Sequence, residues 1–154
     1  KKQTRMGEGA KFLRDWNETV DIVHNTPERR DEMYERLEGM IDDDVVMGAP
    51  PYRKKLTGKL KVVTILKIIL ELVPDFTYKR QFVEGNDLAL EFAGHLGGEE
   101  LFPVQGIDLI HVQNGKVTSI DVMIRPLPTL VELKKRVREK IIPLLAQMPP
   151  SAKL

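Results

Sequence analysis

The sequence predicts an α+β fold: three N-terminal helices and one C-terminal helix wrap a curved antiparallel sheet, a cone-like half barrel. Three observations carry this. Up to about residue 73 the apolar residues recur at helical spacing, and from Phe76 they alternate with period two. Glu84-Gly85-Asn86, Gly97-Gly98-Glu99-Glu100 and Asn114-Gly115 are turn signals that cut the alternating region into four strands. Beyond Pro126 and Pro128 the helical spacing returns.

In chain order, Phe12, Trp16, Val20 and Val23 share one face of a helix over roughly residues 8–23. Thr26-Pro27-Glu28 has the make-up of a helix start, with a capping hydroxyl, proline at the first helical position and an acid in the first turn. Met33, Leu37, Met40 and Ile41 form the stripe of this second helix, which Asp42-Asp43-Asp44 is expected to end. Val45-Val46-Met47 reads as a short strand, followed by a loop holding Pro50, Pro51 and the basic cluster Arg53, Lys54, Lys55. Gly58 to Val73 reads as a third helix, stopped by Pro74 and too broadly apolar for a single stripe. The strands are expected at about 76–83, 87–96, 101–112 and 117–125, joined as a meander, with Asn114-Gly115 the strongest hairpin signal. Thr129 opens the last helix, with Leu130, Leu133, Val137, Ile141 and Leu144 on its apolar side. Residues 8–147 form one expected domain and 148–154 a flexible tail.

Composition limits the partners. The 154 residues suit one domain, and a 42% hydrophobic content is enough to build a core. The 24 basic and 23 acidic residues nearly cancel to a net charge of +1, which gives no cationic field for a nucleic-acid backbone. Cysteine is absent, which fits a reducing, cytoplasmic location and leaves no thiolate site. The three histidines are too scattered for a histidine metal motif. The most apolar run, Val62 to Val73, is interrupted by Lys67 and Glu71 and is too short to cross a bilayer. No metal, cofactor, nucleic acid or membrane is therefore expected as a partner.

Alternation sorts each strand into two faces. One face of 101–112 is Phe102, Val104, Gly106, Asp108, Ile110 and Val112, with Asp108 its only charge. By the same parity Leu88, Leu90 and Phe92, then Ile120, Val122 and Ile124, then Phe76, Tyr78, Arg80 and Phe82 face the interior. Asp108 is thus expected as a carboxyl in an apolar pocket, where desolvation raises its pKa and suits it to donate a proton. The competing reading is a satisfied structural carboxyl, and an Arg80 guanidinium reaching Asp108 would reverse the shift. The opposite face carries Ala93, Ile107, Leu109 and Met123 among its polar residues, which suggests a homodimer contact; Glu91 lies on it too.

The chain resembles the SnoaL-like branch of the nuclear transport factor 2-like superfamily. The resemblance rests on Phe12-Leu13-Arg14-Asp15-Trp16-Asn17, Asp43-Asp44-Val45-Val46, Leu90-Glu91-Phe92, Gly106-Ile107-Asp108-Leu109-Ile110, and Asn114-Gly115-Lys116-Val117 running on to Pro126-Leu127. It spans most of residues 10–140 and implies the cone-like fold. That fold hosts isomerases, epoxide hydrolases, cyclases, dehydratases and non-enzymatic adaptors. In the ketosteroid isomerase branch Asp108 matches the protonated oxyanion-hole aspartate, but the general base would fall near Ala49 and the tyrosine donor near Phe12. For limonene epoxide hydrolase Glu91 matches one acid, while the arginine would fall near Ala89 and the other acid near Val122.

Two functions follow as expectations. The first is a cofactor-free acid–base enzyme (isomerase, cyclase, hydrolase or dehydratase) acting on an apolar small molecule. Its candidate catalytic residues are Asp108, Tyr78 and His95, and Trp16, Phe92, Ile110 and Val122 shape the pocket. The second is a non-catalytic domain that binds a ligand or dimerises. A second convergent polar group separates the two. His95 stands at a strand end beside Gly97-Gly98, and strict alternation puts it opposite the apolar face, so pairing with Asp108 requires a bulge. The C-terminal Ala152-Lys153-Leu154 resembles a peroxisomal address, which has meaning in a eukaryotic source.

Overall fold

A computed structural model describes residues 7–147 and 149–150. These form α1 (Gly9–Asn25), a 3-10 turn (Pro27–Arg29), α2 (Arg30–Gly39), β1 (Ile41–Gly48), β2 (Leu56–Thr57), α3 (Lys59–Leu72), β3 (Thr77–Glu84), β4 (Asp87–Leu96), β5 (Phe102–Gln113), β6 (Lys116–Arg125) and α4 (Leu127–Leu145). The sheet order is β2-β1-β6-β5-β4-β3, a curved and unclosed layer with the helices against its concave side. The Ala152-Lys153-Leu154 address and most of the 148–154 tail lie outside the described residues.

The four-strand meander forms where period two predicts it. β4 and β5 pair without a break from Asp87↔His111 to Leu96↔Phe102. Asn114 (φ 55°) and Gly115 (φ 73°) supply the two left-handed residues that a tight two-residue hairpin requires. The sheet as a whole is mixed rather than purely antiparallel, because β1 runs parallel to β6. No local pattern encodes that pairing: the partners are about seventy residues apart, and Val117 N–H donates to Met40 O (2.8 Å) where β1 begins.

Asp42-Asp43-Asp44 does not end a helix. The three acids belong to β1, between Ile41 and Val45, which are both fully buried. Against β6 the register goes from Ile41↔Val117 to Val46↔Ser119, so the acidic stretch bulges out of the ladder and its charges stay hydrated. Leu56–Thr57, expected as loop, adds a short edge strand on β1. Thr26 makes no side-chain cap, and the segment it opens is a 3-10 turn ahead of α2.

An irregularity in β3 shapes the pocket. Between Tyr78↔Phe92 and Gln81↔Leu90, two β3 residues oppose the single Glu91. This bulge reverses the parity beyond Tyr78. Gln81 turns inward and is partly buried, while Arg80 and Phe82, expected inside, face out. Arg80 Nε donates to Glu91 Oε2 (2.9 Å) on the convex side.

The ends of the layer are tied to it. Gly9 N–H donates to Gly85 O (3.0 Å) and Glu8 N–H to Asn86 Oδ1 (3.0 Å), so the β3–β4 turn satisfies N–H groups that a helix start leaves open. At the other end α4 begins at Leu127, two residues before the expected Thr129, with Pro128 in its first turn, where no N–H is needed. The Thr129 hydroxyl donates to Pro103 O (2.6 Å) and Arg136 to Gly97 O, which fixes α4 beside β5.

Gly106 is required by close approach: a Cβ there would collide with Met123 O and the Phe92 ring across the sheet. Gly106→Ala is expected to cost about 1–3 kcal/mol by overpacking, read as a lower urea midpoint at unchanged m-value.

Candidate active site

Inside the cone lies a cavity of about 110 Å³. On the same measure about 10–15 Å³ holds one water, so the space suits a small molecule rather than a structural solvent. Trp16 of α1, Tyr78 of β3, Phe92 of β4, Asp108 and Ile110 of β5 and Val122 of β6 all line it. Apart from these, its wall is almost wholly aliphatic, with Tyr52 and Lys134 as the other ionisable side chains among the described lining residues. Phe76 stacks on Phe92 (5.0 Å) and meets Tyr78 edge-on (5.0 Å), which holds the Tyr78 ring.

The polar groups form one chain. Trp16 Nε1–H donates to the Tyr78 hydroxyl (2.9 Å), and that hydroxyl donates to Asp108 Oδ2 (3.0 Å). The direction follows from the groups themselves. An indole N–H only donates, so the Tyr78 oxygen accepts from Trp16 and its own hydrogen goes to Asp108. Oδ2 is therefore the accepting oxygen, and Oδ1 carries the proton when the acid is neutral. Oδ1 has no hydrogen-bond partner among the described residues, and the surface Asp108 retains faces the cavity.

Desolvation pushes the Asp108 pKa up to about 7, and the Tyr78 hydrogen bond opposes part of that rise. Burial, then the Asp108 charge, hold Tyr78 well above the ordinary phenol value. Arg80 does not reverse the sign at Asp108, because the bulge commits it to Glu91 on the other face.

His95 is not brought to this site. Its backbone N–H and its Nδ1 both contact the Asp75 carboxylate (2.7 Å each) on the exposed side, and it does not line the cavity. No bulge in β4–β5 turns it inward; strict alternation holds along that pair. Sequence parity also missed Gln81, which joins Asn17 of α1 through Nδ2–H to Oε1 (2.8 Å) beside the Trp16–Tyr78 bond. Among the described residues no three metal-binding side chains converge.

No family model matches the chain, and no curated protein does. Solved structures do. A steroid delta-isomerase from Pseudomonas aeruginosa aligns with TM-score 0.74 and 28% identity over 90% of this chain and 95% of that one. An LEH-like epoxide hydrolase from M. tuberculosis aligns at 0.62 and 15% identity over 88% and 98%, respectively. A SnoaL-like protein from Jannaschia sp. CCS1 aligns at 0.59 and 11% identity, over 89% and 96%. A cone of curved sheet closed by helices over one apolar cavity is the architecture of the nuclear transport factor 2-like superfamily, and this chain has it. The range of its neighbours is in keeping with the SnoaL-like branch.

Because the folded pKa of Asp108 exceeds the unfolded one, its contribution to stability is complete below the unfolded value. It is lost as pH climbs from about 4 to about 7, by at most roughly 4 kcal/mol. Asp108→Asn keeps an acceptor for Tyr78, so urea melts should show the mutant gaining on wild type as pH rises through that window. Tyr78→Phe should raise the Asp108 pKa further in a carboxyl NMR titration. It should also cost about 1–3 kcal/mol, because the Trp16 N–H loses its acceptor.

Proposed function

We propose that the chain is a small SnoaL-like enzyme that performs cofactor-free proton transfer on an apolar metabolite bearing a carbonyl or hydroxyl oxygen. The observation that carries the reading is the orientation of Asp108: Tyr78 occupies Oδ2, which leaves the Oδ1 proton for a ligand oxygen in an apolar cavity. Near neutral pH both forms of the acid are populated, so the same carboxyl can give a proton and take one back. Tyr78 positions it, and Trp16, Phe92, Ile110 and Val122 shape the space around the ligand. Steroid-type isomerisation is not part of the proposal, because position 49 holds Ala49 where the resemblance calls for a base.

Among the described lining residues there is no second carboxyl and no histidine, which is the observation favouring a non-catalytic ligand-binding domain. The two readings separate with 5-nitrobenzisoxazole, an apolar probe whose ring opens when a carboxylate removes its C–H proton. An enzyme of the proposed kind should open it at a rate that follows one ionisation near pH 7. Asp108→Asn should reduce that rate at least about tenfold, the range of general-base effects. A rate equal in wild type and mutant would leave the binding reading.

The convex face is proposed as a homodimer contact. Phe82, Ile107, Leu109 and Met123 are exposed on it, between charged groups that already pair with each other, such as Arg80 with Glu91. A two-fold contact of such a face with itself buries the apolar residues without stranding a charge. Light scattering should give a dimer at micromolar concentration, and Leu109→Glu with Met123→Glu should give a monomer.

A further inference from the structure

The cavity has a charged rim that the proton chemistry does not use. α4 lies over one side of the pocket with Leu130, Leu133, Lys134 and Val137 in its lining. Leu133 is buried, whereas Lys134 is exposed, which places it at the opening. Tyr52 lines the same opening and is 58% exposed, and the Lys134 ammonium stands 5.9 Å from its ring centroid.

Lys134 differs from three nearby cations that already have carboxylate partners. Lys55 pairs with Asp121 (3.2 Å), Lys59 with Asp43 (3.8 Å) and Arg136 with Glu132 (2.9 Å). Lys134 has no carboxylate partner among the described residues. The sequence explains why. One turn away on either side stand Leu130, Val131, Val137 and Arg138, so no helical neighbour can form an ion pair with it. Lys135 and Arg138 share the shallow groove just outside, with Glu139 as the acid there. The opening is therefore net positive, the wall apolar, and the inner polar group an acid that is never a cation.

Resting on the apolar-ligand reading of this pocket, we infer that its ligand is an amphiphile with an anionic headgroup: the apolar body fills the cavity and the headgroup meets Lys134. The charges fix the orientation. An anion turned inward would lose its hydration in an apolar wall that offers it no cation among the described lining residues except Lys134 at the opening, beside a carboxyl that is itself partly ionised at neutral pH. Turned outward, it meets an unpaired ammonium and stays hydrated. The oxygen that Asp108 addresses then lies on the apolar body, away from the head.

The chain supplies its own reporter. Trp16 is its single tryptophan and lies in the pocket wall, so its emission reads occupancy. Octanoate and 1-octanol share one tail and differ in charge, and both are titrated at pH 7 into wild type and Lys134→Gln. The variant should bind octanoate about fivefold more weakly, the upper range for an exposed ion pair, and octanol within twofold of wild type. Salt should weaken octanoate binding in wild type and have little effect in the variant. Lys134→Glu should weaken octanoate further and strengthen octylammonium. Because Lys134 is exposed, both variants should keep the wild-type melting temperature. An equal effect of Lys134→Gln on octanoate and octanol, or no effect on either, overturns the headgroup assignment while the apolar-ligand reading stands. If neither compound changes Trp16 emission in wild type, the apolar-ligand reading falls and the inference falls with it.

Discussion

One extra residue in β3 governs the character of the pocket. Lys79 and Arg80 share the space opposite Glu91, and everything beyond Tyr78 changes face as a result. Without that bulge Arg80 would share the inward face with Asp108, where a guanidinium in reach of the carboxyl would favour its ionised form. With it, the guanidinium lies on the convex side against Glu91, and among the described residues no cation pairs with Asp108 in the cavity. The same change brings Gln81 under α1 and turns Phe82 out to solvent. A backbone irregularity thus keeps the Arg80 cation off the face that carries Asp108.

The Trp16–Tyr78–Asp108 chain joins fold and site through the same bonds. α1 is held to β3 by the indole and by Asn17–Gln81, and at its start by the β3–β4 turn. These contacts fix the Tyr78 hydroxyl, which in turn fixes the acid. The desolvation that raises the Asp108 pKa also makes its carboxylate costly to the folded state. The carboxyl is thus held in an apolar space at a cost to stability at neutral pH.

α4 gives the cavity an asymmetric rim. Its inner face continues the apolar wall, while Lys134 adds a charge where the wall meets water. The result is a gradient along the pocket, from a buried acid through aliphatic wall to cation. For the amphiphile proposed above, such a gradient would match the spacing of polar groups as well as shape.

The sequence by itself determined the four helices, the meander and its turns, because period and turn chemistry are local properties that neighbouring residues carry together. It also determined that Asp108 is the lone charge on an inward strand face, with Phe92, Ile110 and Val122 on the same side, since β4–β5 and most of β5–β6 keep strict alternation. The parallel β1–β6 pairing, the β3 bulge and the outward fate of Arg80 and Phe82 were decided by tertiary structure. Alternation counts residues along one strand, and a bulge depends on how that strand fits its partner and the helix laid across it. The hydrogen bond of Trp16 to Tyr78, across 62 positions of chain, and the place of Lys134 at the pocket opening are of the same kind. Each depends on which elements the fold brings together, and no window along the chain contains that information.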